Sequence, residues 1–329
     1  MKLIVNMPAY NEATKIGETI ARIKKSFELD FYSKEGSIIT EKLIQVSNDG
    51  STDGTEEIAR QAGADFITNR PRKEIPKNTL GANFKLGVDN ALENGVDFFV
   101  NIDADGQFNP NDIPKLLLPV INQTADMVIA NRFGEKEAKN IPWIKDFLNR
   151  FVANLVGFFL GQKIDDLTCG FRALNRETLL RLNLTSVFTY TQESIIDAIG
   201  KNLKIKWVPV TVTYYADRKS KMTKSIWTFI SDSGKIILKA VRDVRPMKFF
   251  GIPGLIVVIA SLLVFCLFLF HYFQALQITT YRNYLFLSVI LMFFGSQLLI
   301  FALIADMIKT NRNLTEEQMY LLKKDRLKK

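Results

Sequence analysis

Two long stretches without charged side chains constrain this chain more than any other feature. Residues 249–281 and 283–305 contain no Asp, Glu, Lys or Arg, although the preceding chain carries a charge every few residues. A helix of about 20 apolar residues crosses the hydrocarbon core of a bilayer, and the segments 254–273 and 284–304 both reach that length. Because a short turn separates them, the sequence predicts a two-helix transmembrane hairpin over residues 249–308 and hence a multi-pass membrane protein.

Basic residues flank the two predicted spans unevenly. Residues 235–248, just before the first span, contain five Lys or Arg residues, whereas Arg282 alone lies between the spans. Residues 309–329 form a basic tail after the second span. Because loops rich in Lys and Arg remain on the cytoplasmic side of a membrane, we expect both termini, and the N-terminal part of the chain with them, to be cytoplasmic.

The formal net charge of +9 is compatible with binding to nucleic acid or to an anionic lipid surface. The basic clusters adjoin the predicted spans, which favours contact with anionic lipid and predicts no nucleic-acid partner. Cys169 and Cys266 are the two cysteines of the chain, too few for a disulfide framework. We expect both to be reduced thiols, in agreement with a cytoplasmic domain.

Short apolar runs alternate with amphipathic segments over the first two-thirds of the chain. Apolar residues between the runs recur at helical spacing, as in Ile16, Ile20 and Ile23. Strands that alternate with helices predict an α/β fold with a doubly wound, mostly parallel sheet, and we assign residues 1–222 to this domain. The predicted strands cover residues 2–7, 42–47, 64–68, 97–100, 126–130 and 205–215.

Polar motifs follow the first two predicted strands, at the edge where doubly wound sheets bind ligands. Residues 8–12 read PAYNE, and residues 48–55 read NDGSTDGT. Glycines and short polar side chains let the backbone approach a ligand, and a strand-end amide can accept a hydrogen bond from a nucleobase. Neither GxGxxG nor a Walker motif is present, which argues against dinucleotide cofactors and P-loop chemistry. Alternatively, Asn11 or Thr14 caps the following helix.

Asp103 and Asp105 follow the strand predicted at residues 97–100, within the sequence NIDADGQFNP. Both aspartates lie where the predicted strand gives way to a loop. A turn at this point can direct both carboxylates toward one ion. Two hard oxygen donors suit Mg²⁺ or Mn²⁺ bound to a diphosphate. The alternative is that both aspartates are loop residues capping the helix after Pro110.

Two amphipathic segments carry dense aromatic and aliphatic faces. Residues 141–161 place Phe151, Leu155 and Phe158 on one face, with basic and amide side chains opposite, and residues 223–248 repeat the pattern. Such a helix can belong to a protein core, but the aromatic density and the adjacent spans favour a position in the membrane interface. We therefore predict that the two helices hold the domain against the bilayer.

Six short motifs follow one another in a fixed order along the chain. They are PAYNE at 8–12, NDGSTDGT at 48–55, DADGQ at 103–107, NRF at 131–133, DLTCGFR at 166–172 and RKSK at 218–221. With these motifs the chain resembles the family 2 glycosyltransferases of GT-A fold, and within them the polyprenyl-phosphate sugar synthases, which include the dolichol-phosphate mannose synthase type and membrane-anchored undecaprenyl-phosphate glycosyltransferases. The resemblance covers residues 1–244.

The resemblance implies a nucleotide site at the strand ends. The residues at matching positions are Pro8, Ala9, Tyr10, Asn11, Glu12, Val46, Asn48, Asp49, Asp103, Ala104 and Asp105. Position 48 is usually an aspartate in the family. An amide can still accept from a base N–H but lacks the charge, so the sequence leaves the preferred nucleobase open.

The resemblance also implies metal, phosphate and catalytic positions. Mg²⁺ or Mn²⁺ is implied at Asp103, Asp105 and Gln107. The implied contacts to diphosphate or acceptor phosphate are Arg132, Lys145, Arg218 and Lys221, of which Lys145 stands where relatives often carry arginine and lacks its bidentate fork. The implied catalytic residues are Asp105, Asp103 and Arg132, with Asp166 and Glu193 as candidates for a base or an orienting group, or for a purely structural role.

The resemblance implies inverting transfer of a sugar from a UDP- or GDP-linked donor to a polyprenyl phosphate, dolichyl or undecaprenyl, at the cytoplasmic membrane face.

The main alternative is a family 2 enzyme that extends a glycan at a hydroxyl. Such enzymes carry a QxxRW element, which is absent here, and Trp207 and Trp227 do not lie in such a sequence. A catalytically inactive scaffold is disfavoured by the intact acidic pair. A channel is disfavoured because the spans carry no charge, and a homo-oligomer through the membrane helices stays open.

Overall fold

The computed structural model describes nine ranges of the chain. For residues 143–149 it describes the backbone but not the side chains. The described residues are 1–70, 79–134, 143–185, 190–213, 234–235, 237–239, 241–276, 278 and 281–327. They form two compact units. The first consists of Met1–Ile237 together with Glu316–Lys329, and the second of Leu238–Thr315.

The first unit is built on a seven-stranded sheet with the order β3-β2-β1-β4-β6-β5-β7. Neighbouring strands are parallel except at β6, which runs antiparallel to both β4 and β5. The predicted α/β fold with a mostly parallel sheet is therefore confirmed. The strands are β1 Lys2–Ala9, β2 Glu41–Asn48, β3 Phe66–Asn69, β4 Phe98–Asn101, β5 Met127–Asn131, β6 Arg172–Asn175 and β7 Ile205–Pro209.

Helices cover the sheet. The α3 helix packs on β1 and β2, and α4 packs on β5 and β6. In α1 the residues Ile16, Ile20 and Ile23 are fully buried, as their helical spacing predicts. The helices are α1 Ile16–Ser26, α2 Thr55–Gln61, α3 Leu80–Glu93, α4 Ile113–Ile121, α5 Trp143–Leu160, α6 Arg176–Arg181 and α7 Thr191–Gly200, with short 3₁₀ turns at Asp30–Ser33 and Pro110–Asp112.

The α5 helix has two different apolar sides. Val156 and Leu160 are buried in the first unit, whereas Phe151, Leu155 and Phe158 are 55%, 47% and 69% exposed. The sequence offered a core helix and an interface helix as alternatives, and one helix carries features of both. Half of the second amphipathic segment, residues 223–248, lies outside the described residues.

The second unit contains two long apolar helices, α8 Ile252–Ala275 and α9 Arg282–Arg326, with a π-helical turn at Met247–Gly251 before α8. Residues 247–274 and the α9 helix are long and apolar enough to cross a membrane. The helices approach closely where a Cβ on Gly295 would lie 2.7 Å from Val258 Cγ2. Ser261 Oγ donates a hydrogen bond to Ser288 O at 2.7 Å. Gly295 thus allows the two helices to pack closely against each other.

The last turns of α9 belong to the first unit. Lys201 Nζ lies 2.8 Å from a carboxylate oxygen of Glu316, and the Arg181 guanidinium lies 4.2 Å from the centre of the Tyr320 ring. Arg326 Nη2 pairs with Glu93 at 2.7 Å. Part of the segment expected as a basic tail is therefore a helix that contacts α3, α6 and α7.

Candidate active site

The first two polar motifs meet at the carboxyl ends of β1 and β2. Asn11 Oδ1 accepts from the Thr52 backbone N–H at 2.9 Å, and the Asn11 N–H donates to Ser51 Oγ at 3.0 Å. The Glu12 N–H donates to Thr55 Oγ1 at 2.9 Å. Asn11 has a φ of 51°, a left-handed conformation that asparagine tolerates better than most residues. These bonds join PAYNE and NDGSTDGT into one polar rim.

Asn48, at the end of β2, is buried and engaged by its neighbours. Its Oδ1 accepts from the Ser51 N–H at 3.1 Å and from Ser51 Oγ at 2.6 Å, and its Nδ2 donates to Asn69 Oδ1 at 2.9 Å. A carboxylate at this position could not donate to Asn69. Asn69, which sequence reasoning missed, is therefore coupled to the unusual amide at position 48.

The loop after β4 forms a tight turn held by α1. Gly106 has a φ of 73°, the left-handed region that favours glycine. Thr19 Oγ1 donates to Ala104 O at 3.3 Å, and Arg22 Nη1 donates to Gly106 O at the same distance. The Gln107 N–H donates to Asp105 Oδ1 at 3.0 Å. Asp103 and Asp105 thus leave the sheet in a turn rather than an extended strand.

The charge balance of this turn is unfavourable to two ionised carboxylates. Burial and the negative charge of Asp105 together raise the pKa of Asp103 to about 7, although Arg132 and Arg172 act in the opposite direction. Asp103 accepts no hydrogen bond from any residue that the structure describes. A site with excess negative charge and unfilled oxygen acceptors favours a cation.

The donor set fits a hard divalent cation. Asp103 and Asp105 offer carboxylate oxygens, the ligand type that Mg²⁺ and Mn²⁺ prefer. Within the described residues no cluster of three or more His, Cys, Asp or Glu side chains is present. Two carboxylates match an ion that completes its coordination with water and substrate phosphates rather than a cage made entirely of protein ligands.

Arg132 and Asp166 form a bidentate ion pair. Arg132 Nε and Nη2 donate to the two carboxylate oxygens of Asp166 at 2.7 and 2.9 Å, and Nη2 also donates to Thr168 Oγ1 at 2.5 Å. Asp166 is fully buried, and its backbone oxygen accepts from Trp207 Nε1 at 2.9 Å. The motifs NRF and DLTCGFR are therefore in contact, with the guanidinium plane fixed by the buried carboxylate.

The remaining predicted site residues are placed less completely. Glu193 lies on α7, where its Oε1 accepts from the Thr185 N–H at 3.0 Å and from Thr185 Oγ1 at 2.7 Å. Arg218 and Lys221 lie outside the described residues, as does the side chain of Lys145.

The free cysteine Cys169 is buried, and burial raises the pKa of its thiol to about 12, so it stays protonated at neutral pH.

Comparison with known sequences decides the family. Residues 4–182, more than half of the 329-residue chain, match the family described as glycosyl transferase family 2. The chain belongs to glycosyl transferase family 2. The family resemblance and the expectation of a transferase enzyme are thereby confirmed.

Two relatives are similar to most of this glycosyltransferase. The polyprenol monophosphomannose synthase of Mycolicibacterium smegmatis is 29% identical over 68% of this chain and 82% of its own length. The undecaprenyl-phosphate mannosyltransferase of Micrococcus luteus is 28% identical over 69% of this chain and 89% of its own. The first is named as a synthase of polyprenol monophosphomannose, and the second as a mannosyltransferase for undecaprenyl phosphate.

A solved structure supports the fold. Glucosyl-3-phosphoglycerate synthase from Mycobacterium tuberculosis, in a complex with Mn²⁺, uridine diphosphate and glucosyl-3-phosphoglycerate, has a TM-score of 0.53 and 19% sequence identity to this glycosyltransferase. The match covers 74% of this chain and 80% of that chain. The GT-A fold expected from the motifs is confirmed.

Proposed function

We propose that this glycosyltransferase transfers a sugar, with inversion, from a UDP- or GDP-linked donor to a polyprenyl phosphate at the cytoplasmic face of a membrane. The observation that carries the proposal is the Asp103–Asp105 turn at the same sheet edge as the joined rim of the first two motifs. The names of the two relatives support the acceptor class. The two apolar helices support the membrane location.

The donor nucleotide is proposed to bind along the rim formed by residues 8–12 and 46–49. Asp103, Asp105 and Gln107 would hold Mg²⁺ or Mn²⁺ against the donor diphosphate. When bound, the ion supplies Lewis-acid stabilisation of the charge that develops on the departing nucleoside diphosphate.

The acceptor phosphate is proposed to act as the nucleophile. Its oxygen forms a bond to the anomeric carbon as the bond from that carbon to the diphosphate oxygen breaks, and attack from the opposite side inverts the configuration. The second pKa of a phosphate monoester is about 6, so the nucleophile is ionised at neutral pH and a strong general base is unnecessary. Positioning and charge therefore dominate the chemistry.

Basic side chains are proposed to hold the two anions together, namely Arg132, Lys145, Arg218 and Lys221. Among these, Arg132 has its orientation set by two bonds to Asp166 and one to Thr168. A fully buried carboxylate that is engaged by a guanidinium is poorly suited to remove a proton. We therefore assign Asp166 an orienting role rather than that of a base.

The exposed apolar side of α5 is proposed to lie in the membrane interface. Phe151, Leu155 and Phe158 recur at helical spacing and stay exposed in the first unit. This arrangement would bring the site to the plane of the head groups, where the phosphate of a membrane-embedded polyprenol is found. Both termini and the catalytic domain would then be cytoplasmic.

A transfer assay with defined acceptors tests the proposal. Purified full-length protein in detergent is incubated with Mg²⁺ or Mn²⁺, a short polyprenyl phosphate and a panel of radiolabelled UDP- and GDP-sugars. We expect label in the lipid fraction with at least one donor, and loss of that label with EDTA. Label that reaches a sugar hydroxyl but not the polyprenyl phosphate would support the glycan-extending alternative, and no transfer from any donor would contradict the proposal.

A further inference from the structure

Gly170 marks a point where two functional side chains converge. A Cβ added to Gly170 would lie 2.9 Å from Tyr190 Oη, 3.1 Å from Asp103 Oδ1 and 3.4 Å from Asp103 Oδ2. The carboxylate of Asp103 and the phenol of Tyr190 therefore both pack against the bare Cα of Gly170. A methyl group at position 170 would push at least one of them away.

Tyr190 is held firmly at this point. It is fully buried and stacks on Phe84, with ring centres 3.9 Å apart and planes 2° from parallel. The Arg172 guanidinium lies 5.0 Å from the centre of the same ring. Tyr190 Oη accepts from Asn101 Nδ2 at 2.8 Å and donates to Gly170 O at 3.4 Å. The phenol oxygen thus has one defined position beside Gly170, the residue against which the Asp103 carboxylate also lies.

Asn101 connects Tyr190 to the strands that carry the nucleotide motifs. Its Oδ1 accepts from Asn6 Nδ2 at 2.8 Å on the neighbouring strand β1. Asn6 Oδ1 in turn accepts from Gln45 Nε2 at 2.8 Å and from Ser47 Oγ at 2.6 Å on β2. All of these side chains are buried, and a satisfied buried polar network rigidifies the groups it joins. Three strands and the start of α7 are fixed relative to one another at the Asp103 turn.

We propose that Gly170 and Tyr190 are positioning residues that fix the Asp103 carboxylate for binding of the divalent cation. The inference rests on the proposed function, because it assumes that the Asp103–Asp105 turn holds the ion. Gly170 leaves the space beside which the carboxylate lies, and the Tyr190 hydroxyl, anchored by Asn101, borders the same space. Groups that orient metal ligands from behind contribute about 10- to 100-fold in metal affinity in other proteins.

Direct Mn²⁺ binding tests this inference without an activity assay. The full-length protein in detergent, with GDP or UDP present, is titrated with Mn²⁺, and free Mn²⁺ is measured by electron paramagnetic resonance. We expect Gly170→Ala and Tyr190→Phe to weaken Mn²⁺ binding by about 10-fold. Nucleotide affinity measured without metal should stay close to that of the unmodified protein. The unfolding temperature of Tyr190→Phe should fall modestly, because a buried Asn101 N–H loses its acceptor.

Tyr32→Phe is the matched control. Tyr32 is also a buried tyrosine, but its hydroxyl has no hydrogen-bond partner among the described residues. Its removal should leave Mn²⁺ affinity unchanged. If Gly170→Ala fails to fold, Tyr190→Phe still decides the question.

The outcomes separate the two proposals. If the unmodified protein binds Mn²⁺ and nucleotide together, but Tyr190→Phe binds Mn²⁺ equally well, the positioning role is overturned and the proposed function stands. If the unmodified protein binds no Mn²⁺ in the presence of either nucleotide, the metal assignment fails and the positioning role fails with it. An equal loss in Tyr32→Phe would also overturn the inference, because the effect would not depend on a hydroxyl beside Gly170.

Discussion

Asp166 is fully buried in the first unit and Asp103 is partly exposed, and the charges around the two carboxylates differ in one decisive respect. Asp166 is matched by the guanidinium of Arg132, which donates two hydrogen bonds to its carboxylate. Asp103 instead faces a second carboxylate, Asp105, and its pKa is raised as a result of burial and of that charge. The fold neutralises Asp166 with a guanidinium of its own, whereas we propose that a divalent cation neutralises Asp103 and Asp105. In this proposal the first arrangement serves stability and orientation, and the second serves ligand binding.

Removing one member of the acidic pair should have the largest effect. We expect Asp105→Ala to reduce sugar transfer by at least about 10³-fold, because a catalytic metal contributes several kcal/mol to transition-state stabilisation. The protein should remain folded and membrane-bound, since the substitution relieves repulsion with Asp103. Transfer of labelled sugar to polyprenyl phosphate measures the effect. Full activity of the variant would show that the pair is not the metal site.

Breaking the ion pair between Arg132 and Asp166 should instead reduce the stability of the protein. We expect Asp166→Asn to lower the free energy of unfolding by about 3 kcal/mol, because it leaves the Arg132 charge partly buried without its counterion. Asp165→Asn is the neighbouring control, since Asp165 pairs with the exposed Lys163 and such pairs contribute about 0–1 kcal/mol. Denaturant unfolding compares the two variants. Equal losses would remove the distinction between the two kinds of carboxylate.

The acidic pair Asp103 and Asp105 should also make the stability of the protein sensitive to pH. The pKa of Asp103 in the folded protein, about 7, lies above the ordinary value of an aspartate, so the folded state retains its proton longer than the unfolded state. The stability of the metal-free protein should therefore fall as pH rises from the ordinary aspartate pKa toward 7, and this dependence should vanish in Asp103→Asn.

Metal binding should follow the opposite trend. A proton on Asp103 competes with the cation, so below pH 7 we expect Mn²⁺ affinity to fall by about 10-fold per pH unit. Calorimetric titrations with Mn²⁺ and nucleotide at several pH values would measure it. If the Mn²⁺ affinity stays constant from about pH 5.5 to about pH 8, Asp103 is not a ligand of the ion.

An ion pair at the C-terminal helix should have the smallest effect. Lys201 pairs with Glu316 at 2.8 Å, in a partly buried contact within the first unit. We expect Glu316→Gln to lower the unfolding free energy by about 1 kcal/mol and to leave Mn²⁺ binding unchanged. A change in Mn²⁺ affinity in this variant would contradict the view that internally matched carboxylates serve stability alone.

A related expectation concerns truncation. Removal of residues 249–329 should impair lipid transfer more than nucleotide binding, but it also removes Tyr320 and Arg326 from their contacts with α6 and α3. A variant that retains residues 316–329 through a flexible linker is therefore the better comparison. Equal activity of the shorter form on a long-chain acceptor would argue against the anchoring role of the spans.

The sequence predicted the parts of the fold that have a strong periodic or apolar signal. The β1 and β4 strands are mostly apolar, β2 carries the apolar residues Leu43, Ile44 and Val46, and the two charge-free stretches are long enough to predict the apolar helices. The β6 strand was missed, because Arg172–Asn175 has four residues with a polar side chain at each end and no alternation. Its place between β4 and β5 depends on long-range pairing, which the local sequence does not encode.

The site was predictable as a set of motifs but not as a network. The motifs placed Asp103, Asp105 and Arg132 at strand ends, where the structure also has them. The contacts of Tyr190 with Asn101 and Gly170 join residues that are distant in sequence, and a buried tyrosine between two polar motifs gives no local signal of such a role. The glycine in DLTCGFR was the one available hint, since a glycine beside a polar motif can mark a close approach.

The most direct test of the central claim is the position of the cation itself. Crystals of the full-length protein grown with Mn²⁺ and the nucleoside diphosphate that it binds best would be measured at a wavelength where manganese scatters anomalously. We predict an anomalous peak within coordination distance of Asp105, on the side of the turn that carries the Asp103 carboxylate. A bound nucleotide with the manganese peak elsewhere, or with no manganese at this turn, would contradict the account.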